Sequence, residues 1–223
     1  MMFVWEAGRL YNKVMLAKLE KKLIGLIIWI IAISCVVFFG IGDYLKLAGY
    51  AITIIFIILP DYLFDNWLRF QKTFSPEFLI RVQFVLALAG FLNLLGSLGF
   101  YTNPHTAYYD TFVHFINPVM IFTLTAVIPI LLQKIIFKKT NLFITLFINA
   151  LIIIFLSVAW EFYESFIDLI FKHSKMFGDN KSFLWDTGED LIADIIGGAF
   201  ACWLIYARFY GYIVRNVSYK IKL

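Results

Sequence analysis

The chain has 223 residues, of which 62% are hydrophobic and 15% charged, and its mean hydropathy is +0.84. Soluble domains use about 45–50% apolar residues, so this composition excludes a water-soluble domain and predicts an integral membrane protein. The net charge of +4 is accounted for by membrane topology and requires no nucleic-acid partner.

Residues 1–22 are polar and basic with apolar residues at mixed spacing, and read as a short cytoplasmic or interfacial helix. Apolar runs long enough to cross a bilayer, about 20 residues each, follow at Leu23–Ile41, Leu45–Phe64, Phe78–Phe100, Tyr108–Leu132, Leu142–Phe171 and Trp185–Tyr206. The first run is too long for a signal-peptide core and lacks an Ala-x-Ala type cleavage site. Ala32-Ile33-Ser34-Cys35 matches a lipoprotein processing site only loosely, because the apolar run continues past the cysteine. Cys202, the other cysteine, lies near the opposite end of another span, which argues against a disulfide. Connections are short, without Ser-, Gly- or Pro-rich linkers or repeats. The expected fold is therefore all-α: one polytopic domain of six transmembrane helices over residues 23–206, followed by a basic cytoplasmic tail at 207–223.

Orientation follows from the basic residues, which gather on the cytoplasmic side. With the N-terminus inside, all 19 Lys and Arg except Lys46, Lys172, Lys175 and Lys181 fall on that side. Both termini are thus expected to be cytoplasmic.

More than half of the 15 acids lie within three of the apolar segments. The fourth span carries Asp110 with His114; the fifth carries Glu161, Glu164 and Asp168; the sixth carries Asp186, Glu189, Asp190 and Asp194. A charge near the bilayer centre costs about 2.5–3.5 kcal/mol, so Glu161, Glu164, Asp190 and Asp194 together imply roughly 12 kcal/mol. That is comparable to the whole stability of a domain, about 5–15 kcal/mol, so protons, cations, water or a metal must offset it. At a rise of about 1.5 Å per residue, His114, Glu161 and Asp190 lie at one depth, roughly 6–10 Å below the outer ends of their helices. At about 100° per residue, Asp110, His114 and Asn117 share one side of their helix, as do Ser157, Glu161, Glu164 and Asp168, and Asp186, Asp190 and Asp194. Gly197 and Ala201 continue the last stripe inward, where small residues permit close helix approach.

Clustered carboxylates raise one another's pKa in a low dielectric, and a multivalent cation keeps several of them ionised together. Oxygen-rich ligands with one imidazole suit Mg²⁺, Mn²⁺ or Fe²⁺, and Zn²⁺ less well. The expected metal set is Asp110, His114, Glu161, Glu164, Asp186, Asp190 and Asp194, for one ion or two, with His114, Glu161 and Asp190 as candidate catalytic groups. The competing readings are a network that only fastens helices and a group of protonated acids. Other polar residues read more simply. Asp61 and Asp65 belong to a solvated helix end, His105 and His173 to exposed loops, and Asn93 and Ser97 either to the edge of the site or to local backbone bonding, with neither expected to be essential. Trp160, Tyr163 and Trp185 are placed to wall the site but read more simply as interfacial or packing residues.

The runs Tyr109-Asp110-Thr111-Phe112-Val113-His114, Trp160-Glu161-Phe162-Tyr163-Glu164 and Trp185-Asp186-Thr187-Gly188-Glu189-Asp190-Leu191-Ile192-Ala193-Asp194-Ile195-Ile196-Gly197-Gly198 resemble the YjdF-like inner-membrane proteins over roughly the last 120 residues. The order of motifs is also distantly similar to the VanZ-like family, though that pattern has Asn and Arg where this chain has more acids, so a glycopeptide-resistance role does not carry over. The resemblance implies a prokaryotic multi-pass protein without an assigned reaction, and it maps family polar positions onto Asp110, His114, Glu161, Glu164, Asp186, Asp190, Asp194 and Gly197. Three functions compete: a metal-dependent hydrolase or transferase acting on a lipid or lipid-phosphate head group, a cation or proton transporter, and a non-catalytic lipid- or partner-binding module. The oligomeric state is left open.

Overall fold

The computed structural model of the chain describes the backbone of residues 2–101, 103–106, 108–170 and 183–217, with side chains outside 2–14, 104, 168 and 183–184. Among these residues there is no strand. Six helical stretches are long and apolar enough to cross a membrane: Met15–Ile41, Tyr44–Asn66, Pro76–Phe100, Tyr109–Phe137, Leu142–Ile167 and Trp185–Asn216. Contacts gather the chain into two compact units, Met1–Leu94 and Leu95–Leu223, and residues 23–206, expected as one domain, take in parts of both.

The first unit holds α1 (Met2–Ile41), α2 (Tyr44–Asn66), the short α3 (Leu68–Thr73) and most of α4 (Pro76–Leu95). No proline interrupts α1, and once nucleated a helix extends at little cost. It therefore runs through Lys22, where a separate N-terminal segment was expected to end. Gly42, with φ +77°, turns the chain between α1 and α2, and the Asp43 side chain accepts from the Lys46 N–H at the start of α2. The unit's core is built at helical spacing from Ile24, Ile27, Ile31 and Phe38 against Tyr50, Ile57, Ile80, Ala87 and Leu94. Phe38 stacks on Tyr50 with ring centroids 5.6 Å apart. Buried Gln83 donates from Nε2 to the Ile57 carbonyl at 3.0 Å, close to the helix-disrupting Pro60. Asp61 and Asp65 are exposed, as a solvated helix end requires. Asn93 bonds its own helix through the Ala89 carbonyl.

In the second unit a π turn at Gly96–Phe100, containing Gly99 at φ +133°, ends the third span. There follow α5 (Tyr109–Thr125), α6 (Val127–Phe137), α7 (Leu142–Ile170), α8 (Phe183–Leu204) and, beyond a π turn at Ile205–Phe209, α9 (Tyr210–Asn216). The fourth span was read as one run and is two helices meeting at Ala126. Pro129 has no N–H to give the Thr125 carbonyl, so the ladder breaks there. The tail expected from residue 207 begins as helix, because Lys134 Nζ donates to the Val214 carbonyl at 2.7 Å and also to that of Val217, capping the C-terminal end of α9.

Helix α8 packs chiefly on α5 and then on α7, and two adjacent glycines set both distances. A Cβ at Gly197 would overlap the Phe115 carbonyl oxygen of α5, while one at Gly198 would lie 2.5 Å from Ile153 Cγ2 of α7. Toward the far end of α7 the contacts become polar. Fully buried Asn149 accepts from Thr125 Oγ1 at 2.7 Å and donates to the Phe122 carbonyl at 3.0 Å. Gln133 donates to Thr145 Oγ1 at 2.9 Å and accepts from the Asn141 N–H at 2.6 Å.

Candidate metal centre

Four of the acids expected on three helices, Asp110, Glu161, Asp190 and Asp194, meet around one ring. His114, one turn into α5, is buried, and carboxylates approach both of its nitrogens. On the Nδ1 side stand Asp194 Oδ1 of α8 at 3.2 Å and Glu161 Oε1 of α7 at 4.0 Å. On the Nε2 side stand Asp110 Oδ1, one helical turn earlier, at 3.8 Å and Asp190 Oδ2 of α8 at 3.9 Å. Helical geometry explains the convergence. Asp110 precedes His114 by four residues and Asp190 precedes Asp194 by four, so each pair shares a helix face. The close approach at Gly197 presses the α8 pair against the α5 ring.

Asp194 lies within hydrogen-bond distance of Nδ1, the other three do not. Accepting from Nδ1–H, it fixes the neutral ring in the tautomer whose lone pair is on Nε2, an assignment made from this partner. Metal-binding histidines are commonly oriented in this way, with the second ring N–H held by a carboxylate.

Two groups of side chains offer ligand atoms within 4.8 Å of one another: Asp110, His114 and Asp190, and His114, Glu161 and Glu164. Asp194 is drawn into orienting the ring. Asp186 is buried one turn before Asp190, and its charge acts on both Asp190 and Glu161. Asp110 is the most exposed of the set, with about a third of its side chain accessible. Glu164 accepts from the Trp160 indole N–H at 2.9 Å, so Trp160, read from sequence as an interfacial or packing residue, also bonds a member of the site. Thr111 donates to Glu189 at 3.0 Å and ties α5 to α8 beside the acids. Thr187 lies next to Glu161 without reaching hydrogen-bond geometry. His105 is exposed. His173 and the side chain of Asp168 lie outside the described residues.

Buried polar atoms in folded proteins nearly always find partners, because an unmet one costs about 1–3 kcal/mol and a charged one more. Both oxygens of Glu161 and Oδ1 of Asp190 are buried here without a hydrogen bond, although the two residues are only 4% and 3% exposed. One turn further along the same helix faces, Asn117 Oδ1 and Ser157 Oγ are likewise unpartnered. The Asn149 and Gln133 bonds are, by contrast, closed. Among the described residues, His114 is the only basic side chain at ion-pair distance from Glu161, Asp190 and Asp194. The buried oxygens of Glu161 and Oδ1 of Asp190 are thus left without a hydrogen-bond partner among the described protein groups.

The model of one protein family, described as "Predicted membrane protein (DUF2238)", matches residues 23–210. The chain belongs to this family. The DUF2238 match takes in segments of all six spans, a longer stretch than the C-terminal 120 or so residues on which the resemblance was first read. No curated protein and no solved structure shows a significant match to the chain. Membership makes the protein a multi-pass membrane protein, and the chemistry of the His114 cluster has to be argued from the cluster itself.

Proposed function

We propose that this DUF2238 protein is an inner-membrane enzyme whose His114 cluster holds a divalent cation, Mg²⁺, Mn²⁺ or Fe²⁺ before Zn²⁺, and acts on the phosphate of a membrane lipid. The observation that carries this reading is the set of buried, unpartnered oxygens on Glu161 and Asp190 around a single imidazole. A cation gives those oxygens the partner they lack. Asp110, Asp190 and Nε2 of His114 are its ligands, and Asp194 holds the ring through Nδ1. Bound there, a divalent ion polarises a phosphoryl oxygen or lowers the pKa of a bound water. Glu161, free of other bonds, faces that chemistry from α7.

The Lys and Arg distribution supports cytoplasmic termini, and in that orientation the cluster would lie near the opposite, outer leaflet, within reach of lipid head groups. The YjdF-like resemblance is the basis for the inner-membrane location, and the distant VanZ-like similarity adds only the order of polar motifs. Reporter fusions at each terminus and in the 171–182 connection test the orientation.

Ion transport is the weaker reading. A path through the membrane needs exchangeable polar groups along its length, whereas beyond Ser157 the α7 row meets buried Ile153, packed near Gly198, and then the closed bonds of Asn149 and Thr145. A binding module without catalysis would retain its lipid or partner after metal removal.

Elemental analysis of detergent-purified protein beside an Asp110→Asn, Asp190→Asn double variant tests the metal. Incubation with phospholipid and polyprenyl-phosphate in Mg²⁺ or Mn²⁺ then tests the reaction. Stoichiometric metal lost in the variant, and turnover abolished by His114→Ala, are the expected results. Absence of metal from wild-type protein, with no stabilisation by any divalent ion, overturns the proposal.

A further inference from the structure

We infer that the cluster holds two divalent cations: one at Asp110, His114 and Asp190, and a second, more weakly bound, between Glu161 and Glu164, where open coordination positions accept the phosphate of the substrate. This rests on the metal reading above and deepens it.

The geometry separates two groups of ligands by the width of the imidazole. Asp110 and Asp190 face Nε2, while Glu161 approaches from the Nδ1 side. Because Nδ1 is engaged by Asp194 at 3.2 Å, the imidazole serves the first group as a ligand and the second only as a neighbour. Each group also carries its own unpartnered buried oxygen: Oδ1 of Asp190 in the first, both oxygens of Glu161 in the second. One ion on the Nε2 side would leave the Glu161 oxygens as they are. Glu164 completes the second group with an oxygen within 4.8 Å of the others. Trp160 donates to its Oε1.

Charge points the same way. Asp110, Glu161, Glu164, Asp186, Asp190 and Asp194 are six carboxylates around a neutral ring when all are ionised. One divalent ion leaves a net charge of −4 in a weakly polarisable setting; two leave −2, which a membrane site tolerates better.

The two positions differ in chemistry. The first offers nitrogen and oxygen and favours a transition metal over Mg²⁺. The second offers carboxylate oxygen alone, from two residues, which is the pattern of Mg²⁺ and Mn²⁺ sites that keep several waters and fill the remaining positions with phosphate oxygens. Asp110, the most exposed of the ligands, belongs to the first position, and half-exposed Trp160 borders the second.

Full-length protein, stripped with chelator and titrated with Mn²⁺ in detergent, tests the inference by elemental count, calorimetry and electron paramagnetic resonance. Wild type is expected to bind two Mn²⁺ per chain with at least tenfold different affinities and to show a spin-coupled signal. Glu161→Gln with Glu164→Gln should keep only the tighter ion, Asp110→Asn with Asp190→Asn only the weaker, and both should lose the coupling. One uncoupled Mn²⁺ in wild type overturns the second position and leaves the metal reading standing, and this holds even where a double variant fails to fold. No bound Mn²⁺ in wild type overturns both.

Discussion

Replacing Gly197 by alanine tests the helix approach on which the whole cluster depends. The added Cβ would overlap the Phe115 carbonyl oxygen and stand 3.1 Å from its carbon and 3.2 Å from Pro118 Cβ. The obstacle is mostly backbone of a packed helix and cannot rotate aside, so α8 must retreat from α5. Overpacking of this kind costs about 1–3 kcal/mol, and a backbone obstacle belongs at the upper end. The gain in helix propensity from Gly to Ala offsets about 0.8–1 kcal/mol. The net cost is about 2 kcal/mol, and for a chain of this length each kcal/mol shifts the unfolding midpoint by about 2–4 °C, giving a fall of about 4–8 °C. Two other glycines of α8 calibrate the result. At Gly198 the new Cβ meets Ile153 Cγ2 at 2.5 Å, a side chain that can yield; at Gly188 it meets nothing within 4 Å. Thermal unfolding in detergent followed by tryptophan fluorescence should therefore rank Gly188→Ala above wild type, Gly198→Ala slightly below it and Gly197→Ala lowest. Equal midpoints for Gly197→Ala and wild type would refute the close packing of α5 on α8. Because Phe115 adjoins His114 and Gly197 follows Asp194 by three residues, metal affinity should fall in the same variant and persist in Gly188→Ala.

Asp194→Asn keeps the side-chain shape but weakens the hold on His114 Nδ1; loss of such an orienting carboxylate lowers metal affinity about 10–100-fold, and calorimetry showing unchanged affinity would remove Asp194 from that role. Asn149→Leu deletes the bonds to Thr125 and Phe122, and should cost about 0.6–1.7 kcal/mol by the range for polar contacts between membrane helices while leaving metal content intact; loss of metal would mean that the two polar groups are coupled. Lys134→Met frees the Val214 and Val217 carbonyls and, since a cation at a helix C-terminus contributes about 0.3–1 kcal/mol, should speed amide exchange in residues 210–216 by roughly twofold to fivefold; unchanged exchange would show that α9 is held by its apolar contacts alone.

The six spans were legible because length and hydropathy decide them locally, and the acids because carboxylates at four-residue spacing in an apolar run are costly enough to be conspicuous. Breaks and caps were less visible. Pro129 divides the fourth span at Ala126 only once the missing bond to Thr125 is traced, and the tail beyond Tyr206 stays helical through a lysine that is distant in sequence. Spacing likewise gave Asp190 and Asp194 the same face of α8, and could not tell that one would reach Nδ1 and the other approach Nε2, since a difference of one turn depends on the register of α8 against α5.

The deeper difference lies between two kinds of buried polarity that look alike in a sequence. Thr125, Gln133, Thr145 and Asn149 are each tolerable singly in a membrane helix, and their mutual bonds depend on how α5, α6 and α7 are placed. Those bonds leave nothing for a guest to satisfy. Glu161 and Asp190 lie on the same bundle with oxygens that no neighbour bonds. In a medium where an unmet charge is so costly, the separation of closed groups from open ones divides the residues that fasten the helices from those proposed to bind. That division gives Asn149→Leu and Asp190→Asn opposite expected phenotypes: lost stability with retained metal in the first, lost metal with retained fold in the second.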